Sequence, residues 1–185
     1  MFPNEDSIRS DTLAAQIQMR LREVRVSAAS ASLQISDGIR AHILENVGTI
    51  LVGTRDAALT PEITRGWGPT ILPDGHTIDV CVSLSAGTKT LENLGNCDEI
   101  AVTFCHTSRY KAVQLKGRFL ESGELTSRDW EAFERQKNIF LEQTKVFGIP
   151  PSIVSRLFTT DLVRVRFVVL EAFEQTPGPG AGAKL

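Results

Sequence analysis

The chain has 185 residues, of which 42% are hydrophobic, and this is enough to bury one substantial core in a single domain. Its 20 Lys and Arg residues against 22 Asp and Glu residues give a formal net charge of −2, which excludes the strongly basic surface of nucleic-acid-binding proteins. The sequence contains no apolar run of bilayer length, and its acidic N-terminus lacks the basic, then apolar pattern of a secretory signal. We therefore expect a cytoplasmic protein that binds neither membranes nor nucleic acid.

The cysteines and histidines of the sequence indicate no metal site. The three cysteines are odd in number and lack CxxC spacing, so they are expected to be small buried hydrophobic residues. The three histidines are scattered without the spacing of metal ligands. These residues are Cys81, Cys97, Cys105, His42, His76 and His106.

Two helices are predicted before the first strand. Apolar residues recur at helical spacing from residue 11 to about 33, which predicts an amphipathic helix that docks on a partner or a second subunit. We assign residues 1–35 to an N-terminal helical extension. Asp37 is expected to cap a second, short helix over residues 38–44, and Gly48 closes that segment.

About six β-strands are predicted over residues 36–174, which we assign to one barrel domain. A first hairpin begins at Thr49, and a tight turn follows at Pro73-Asp74-Gly75. Alternating apolar residues from Ile78 to Leu84 then predict a half-buried strand with one face in the core. Further strands are expected over residues 100–104, 110–120 and 161–173. Because few helices separate these strands, the pattern favours a closed or nearly closed antiparallel barrel.

Helix signals interrupt the strands at two places. Gly87-Thr88 opens a short helix, and Ser127 is expected to cap a long helix over residues 128–147 that stops at Gly148. A second short helix is predicted over residues 152–158. The C-terminal tail, residues 175–185, is rich in Pro and Gly, and we expect no regular element there.

The stretch Ser85-Ala86-Gly87-Thr88-Lys89 leads from a strand end into a helix N-terminus. Unpaired amides, the helix dipole, the Thr88 hydroxyl and the Lys89 ammonium would together form an anion pocket suited to a phosphate. The alternative is that Thr88 merely caps the helix and Lys89 is a solvated side chain. Taken alone, the stretch favours this alternative.

Several short segments between residues 38 and 120 follow one another in a specific order. They are Ile50-Leu51-Val52-Gly53-Thr54-Arg55-Asp56, Pro61, Gly87-Thr88-Lys89 with Asn93-Leu94, Ile100-Ala101-Val102, and Val113-Gln114-Leu115-Lys116-Gly117. This ordered set resembles the pyridoxamine 5′-phosphate oxidase-like family of split barrels, which bind flavin mononucleotide (FMN). The resemblance implies a mainly β, α+β fold built on a six-stranded antiparallel split β-barrel with flanking helices.

The resemblance also implies a set of cofactor-binding residues. The FMN phosphate would lie against Thr88 and Lys89, with Arg65 as the nearest basic residue after the proline of the first hairpin. Val82 and Ser83 would line the isoalloxazine ring of the flavin. The family's aromatic side chain is absent at Val82, which argues against transferring a vitamin B6 substrate.

Lys111 and Gln114 lie on the strand whose relatives present polar groups to the flavin. Hydrogen bonds and positive charge near the ring stabilise its reduced, anionic form. In a regular strand these two residues face opposite sides, so only one of them can point at the ring. No catalytic residue is indicated.

The function that the resemblance implies is an FMN-dependent oxidoreductase. The flavin would be held at the interface of a homodimer and would act on a small-molecule substrate that the sequence does not identify. One alternative is a non-catalytic flavin- or haem-binding split-barrel protein. Another is a degenerate barrel that retains only dimerisation, in which the Gly87-Thr88-Lys89 stretch is plain helix capping.

Overall fold

The computed structural model describes residues 32–185. The helix predicted from residue 11 therefore lies, up to residue 31, outside the described residues. Immediately after that point the chain joins the barrel, because Leu33 N donates a hydrogen bond to Val169 O and Ile35 N donates one to Gly75 O.

Six antiparallel strands form a closed barrel. They are β1 Thr49–Arg55, β2 Pro61–Ile71, β3 Thr77–Ser83, β4 Glu99–Cys105, β5 Ala112–Gly123 and β6 Leu162–Glu174. Their order around the barrel is β1-β2-β3-β6-β5-β4, and β1 closes the ring by pairing with both β2 and β4. The predicted six-stranded antiparallel barrel with flanking helices is confirmed.

Four helices flank the described barrel. They are α1 Asp37–Ala41, continued by a π-helical turn His42–Asn46; α2 Thr88–Asn96; α3 Ser127–Thr144, continued by a 3₁₀ turn Lys145–Phe147; and α4 Pro151–Val154, continued by a 3₁₀ turn Ser155–Leu157. None of these helices is both long and apolar enough to cross a membrane.

Alternate residues of every strand fill the barrel interior. Most inward side chains of β3, β4, β5 and β6 are aliphatic or aromatic, as the two-residue period of a strand requires when one face is buried, whereas β2 turns Thr64 and Gly66 inward. Ile43 and Val47 from the α1 segment and Leu94 from α2 join the same core at its two ends. His42 lies at the α1 end, where its Nε2 is 3.1 Å from Phe104 O. The core strands are thus enclosed laterally by pairing and at the ends by helices.

The outer face of β3 differs from the prediction of a half-buried strand. All seven residues of β3 are buried. The reason is that α3 packs over the outer face of β2 and β3, where Trp67, Cys81, Leu162 and Phe133 form a second apolar cluster. Burial raises the pKa of the Cys81 thiol to about 12, so this cysteine is an inert core residue as predicted.

The predicted caps of the two helices are each wrong by one residue. Ser36, not Asp37, caps α1, since its Oγ accepts a hydrogen bond from Ile39 N at 3.4 Å. Thr126, not Ser127, occupies the N-cap of α3, where the Asp129 carboxylate accepts a bond from Thr126 N at 2.7 Å. Ser, Thr and Asp are all good caps, so residue type alone does not choose between adjacent candidates.

The C-terminal tail turns back along β6 and forms one isolated bridge, between Phe173 and Lys184. Glu174 N donates to Ala183 O, and Leu185 N donates to Ala172 O, both at 2.9 Å. These bonds cover part of the edge of β6 that extends beyond its pairing with β3. The expectation that the tail holds no regular element is correct apart from this bridge.

Gly117 permits a close approach between β5 and β6. The register of this pair shifts between Lys116 and Gly117, and a Cβ atom added at Gly117 would overlap Val168 O. The overlapping atom belongs to the backbone and cannot rotate away.

We predict that Gly117→Ala lowers the free energy of unfolding by about 1–3 kcal/mol, because the added methyl group must displace a strand backbone. Urea denaturation measures the change. Gly53→Ala is the matched control, since a Cβ at Gly53 would lie at an ordinary 3.4 Å from Ala101 O. Equal stability of the two variants would contradict this explanation.

Candidate functional site

The N-terminus of α2 begins directly against the end of β3. Gly87 occupies the N-cap, and its amide donates a hydrogen bond to Ser83 O at 2.8 Å. A Cβ at Gly87 would lie only 2.5 Å from that same oxygen. The turn therefore needs glycine, and it places the first amides of α2 beside the strand end.

Thr88 and Lys89 are the first two residues of α2. Thr88 Oγ1 donates back to the preceding loop, at 2.9 Å from Leu84 O and 3.0 Å from Ser85 O. Lys89 Nζ is 3.4 Å from Glu92 Oε2, and both side chains are more than half exposed. Such an exposed pair contributes only about 0–1 kcal/mol, so the ammonium can readily turn to another anion.

Val82 and Ser83 face opposite sides of the barrel wall. Val82 points inward and is fully buried in the core, so its side chain is not available to an outside ligand. Ser83 lies on the outer face, and its Oγ accepts a hydrogen bond from Ala86 N at 3.1 Å. Ser83 thus shapes the loop that leads into α2.

Arg65 lies on the outer face of β2. Its guanidinium carbon is 5.4 Å from the centre of the Trp67 ring and 5.6 Å from that of Phe140. Its Nη1 is buried and has no hydrogen-bond partner within residues 32–185. Burial lowers the pKa of Arg65. An unpaired buried donor costs about 1–3 kcal/mol, so the structure holds this guanidinium at a cost in stability.

The register of β2 and β3 brings Arg65 next to the α2 terminus. Gly66 pairs with Val82 in these antiparallel strands. The next position along the pair therefore brings Arg65 opposite Ser83, both on the outer face. We call Arg65, Ser83, Thr88 and Lys89 the anion corner. Of the seven residues predicted to bind the cofactor, Arg65 and Ser83 are neighbours in register, and Thr88 and Lys89 begin the helix that follows Ser83.

Gln114 and Lys111 lie away from this corner. Gln114 is on the outer face of β5, and its Nε2 donates to Thr103 Oγ1 at 3.0 Å. Lys111 precedes β5 in the β4–β5 turn, and its carbonyl oxygen accepts a bond from His106 N at 2.8 Å. Only Gln114 belongs to β5, so the expectation that the two residues face opposite sides of one strand does not apply to Lys111.

A single row of paired residues connects Arg65 with Gln114 across four strands. The row is Arg65, Leu51, Thr103 and Gln114, on β2, β1, β4 and β5 respectively. We call it the outer row. Its two ends are three strands apart in a ring of six, so Arg65 and Gln114 project from opposite sides of the barrel. Leu51, between them, is 39% exposed.

A groove that sequence reasoning missed lies beside the outer row. It has a volume of about 550 Å³ on the outer face, and Gly53 and Ala101 are paired residues at its floor. We call it the Gly53 groove, and its lining residues are Gly53, Thr54, Arg55, Pro61, Glu62, Ile63, Glu99, Ile100, Ala101, Lys116, Gly117, Arg118, Leu170 and Glu171. The available signal was Gly53 itself, because an isolated glycine within a strand often marks a close approach to a ligand or another chain.

No group of three His, Cys, Asp or Glu side chains in the described part of the chain is arranged to hold a metal ion. His106 lies in the β4–β5 turn, where its Nδ1 accepts a bond from Arg109 N at 3.3 Å. Burial and the nearby Arg109 lower the pKa of His106.

Solved structures similar to this chain are all distant in sequence. HupZ of Group A Streptococcus is 18% identical, with 80% of this chain and 98% of that chain covered and a TM-score of 0.48. A putative pyridoxamine 5′-phosphate oxidase of Lactobacillus delbrueckii is 14% identical, with 76% and 93% covered and a TM-score of 0.47. An FMN-binding protein of Syntrophomonas wolfei is 12% identical, with 90% and 95% covered and a TM-score of 0.46.

Neither a scan against protein-family models nor a search of curated proteins finds a match.

We predict that Arg65→Met causes no loss in the free energy of unfolding. The variant removes the unpaired donor, worth about 1–3 kcal/mol, and this offsets the lost contact of the cation with two rings, about 0.5–2 kcal/mol. Chemical denaturation without ligand measures the difference.

Arg135→Met is the matched control for Arg65→Met. Arg135 is more exposed than Arg65, and its Nη2 donates to Pro69 O at 2.8 Å, so the substitution leaves that carbonyl oxygen without its partner. We expect a destabilisation of about 1–2 kcal/mol for the control. If Arg65→Met is destabilised as much as the control, Arg65 is a structural residue and its free donor needs no ligand.

Proposed function

We propose that the protein is a cytoplasmic FMN-dependent oxidoreductase that holds its flavin on the outer face of the barrel, between two copies of the chain. The observation that carries this proposal is the anion corner with the unpaired Nη1 of Arg65. The residue types present there fit a phosphate monoester, since a guanidinium, an ammonium and helix amides all prefer a dianion.

Three groups would hold the phosphate. The amides at the start of α2 are unpaired within the helix, and the Lys89 ammonium is exposed beside them. Arg65 contributes the buried donor on the neighbouring strand. Ser83 keeps these groups together through its bond to Ala86 N rather than by touching the ligand.

The outer row supports a location for the flavin ring. A flavin nucleotide with its phosphate at Arg65 would extend along the row over Leu51, the paired residue on β1, whose exposed side chain offers an apolar contact. Gln114 lies on the opposite side of the same barrel and is not within reach of this ring. Bound FMN would supply the electron transfer, while the chain orients the ring and stabilises its negative charge.

A second copy would cover the flavin. In the described structure α3 covers the outer face of β2 and β3 around Trp67, whereas Leu51 on β1 remains 39% exposed. Exposed apolar side chains on an uncovered sheet face favour association. A symmetric dimer would shield the ring from water and so strengthen the electrostatic interactions that hold it.

We predict that Lys89→Ala raises the dissociation constant for FMN at least about tenfold, which corresponds to about 1.4 kcal/mol of lost charge-assisted bonding. Titration of the apoprotein, followed by quenching of flavin fluorescence, measures this constant.

Lys145→Ala is the control for Lys89→Ala. Lys145 is also an exposed lysine paired with a glutamate three residues away, Glu142, but it lies at the end of α3. FMN affinity should be unchanged in this variant. An unchanged affinity in Lys89→Ala as well would remove the phosphate assignment, and a Soret band in freshly purified protein would favour the haem-binding alternative.

A further inference from the structure

Packing within the barrel does not require a glycine at position 53, on the floor of the Gly53 groove. A Cβ added at Gly53 would meet only Ala101 O at 3.4 Å and Ala101 Cβ at 3.9 Å, which are ordinary contacts. Gly53 also has no positive φ. Glycine within a strand costs about 0.5–1 kcal/mol relative to alanine, so this position retains a destabilising residue without a structural reason. A ligand that lies flat on the strands would explain why glycine is retained at this position.

The floor and walls of the groove fit a planar apolar ring. Gly53 and Ala101 are paired on β1 and β4 and present almost no side chain, so they form a flat floor. Ile63 on β2 and Leu170 on β6 border the floor with apolar surface. The volume of about 550 Å³ lies within the range of roughly 300–1,000 Å³ that small-molecule sites occupy.

Among the charged residues that line the groove, one cation and one carboxylate, Lys116 and Glu62, form no ion pair within residues 32–185. Arg55 forms an ion pair with Glu99, and Arg118 forms one with Asp98 at 2.6 Å. Lys116 forms no ion pair with any residue from 32 to 185, and its Nζ lies 4.6 Å from the centre of the Phe173 ring.

Glu171, the carboxylate opposite Lys116 in register, forms its ion pair with another lysine, Lys184. Lys116 pairs with Glu171 across β5 and β6, but Glu171 Oε1 accepts a bond from Lys184 Nζ of the tail at 2.8 Å. Lys116 also pairs with Ala101 across β4 and β5, so it lies one strand spacing, about 5 Å, from the floor. An unpaired ammonium thus borders a flat apolar floor.

We propose that the Gly53 groove binds a planar aromatic carboxylate. The ring lies on Gly53 and Ala101, and the carboxylate pairs with Lys116. None of the residues assigned to FMN lines this groove, so the site exists whether or not the flavin is bound. Its position beside the outer row makes it a substrate site of the proposed oxidoreductase, and this last step alone depends on the proposed function.

The test compares a charged probe with a neutral probe of the same ring. The full chain is titrated with 2-naphthoate and, separately, with 2-naphthalenemethanol, and the amide resonances of Gly53 and Gly117 are followed by NMR. We expect both probes to shift these resonances. Lys116→Ala should weaken 2-naphthoate at least about fivefold and leave the neutral alcohol unchanged, because only the carboxylate loses its partner. Lys145→Ala, the exposed lysine outside the groove, should change neither.

Gly53→Val tests the floor independently of charge. Valine suits a strand and should not unfold the protein, but its methyl groups fill the groove, so both probes should lose binding at least about tenfold. FMN affinity in Lys116→Ala is measured in parallel and should equal that of the unsubstituted chain. Failure of FMN to bind at all would refute the proposed function and leave the groove result standing.

Three outcomes would overturn the groove proposal. One is an equal response of the charged and neutral probes to Lys116→Ala. Another is unchanged probe binding in Gly53→Val. The third is that Gly53→Val dissociates a dimer in sedimentation velocity without changing probe binding, because the groove would then be an interface between copies of the chain.

Discussion

Closure of the barrel through the pairing of β1 with both β2 and β4 is the constraint on which the other features depend. Once the ring is closed, every inward position is sealed, and Val82 or Val102 can only serve the core. Binding residues must therefore lie on the outer face or at the barrel ends. The outer face has two parts, one covered by α3 and one left uncovered in the described structure.

One part of the outer face, over β2 and β3, is covered by α3 and becomes a second core around Trp67. The other part, over β1, β4 and β5, is left uncovered in the described structure and carries the outer row and the Gly53 groove. Arg65 stands at the boundary between the two parts, with its guanidinium against Trp67 and Phe140. This position explains how a charged side chain is held rigidly in place while one of its donors remains unpaired. Such preorganisation is what a site for a charged ligand requires.

The sequence predicted the strands well because their alternation reports burial directly. The strands around Val102 and Val165 follow from a two-residue apolar period, the strand from Thr49 from a continuous β-prone run, and the turn at Asp74-Gly75 from its turn residues. The same alternation misjudged β3, since Asp79 and Ser83 look solvent-facing although α3 and β6 bury them. Burial by an element distant in sequence leaves no local signal.

The site was only partly predictable for the same reason. The step at Thr88-Lys89 is local, so its place at a helix N-terminus could be derived from neighbouring residues. The proximity of Arg65 to Ser83 depends on strand register, and the openness of the Gly53 groove depends on five strands at once. Neither property is encoded within a short window. The alternative that Thr88 caps α2 is wrong, because Gly87 occupies the N-cap and the Thr88 hydroxyl donates to carbonyl oxygens of the preceding loop.

The central claim is that the anion corner binds the phosphate of FMN. Hydrogen–deuterium exchange of the full chain with and without FMN tests it most directly. The account predicts slower exchange over residues 83–90 when FMN is present. Unchanged exchange over these residues would contradict it.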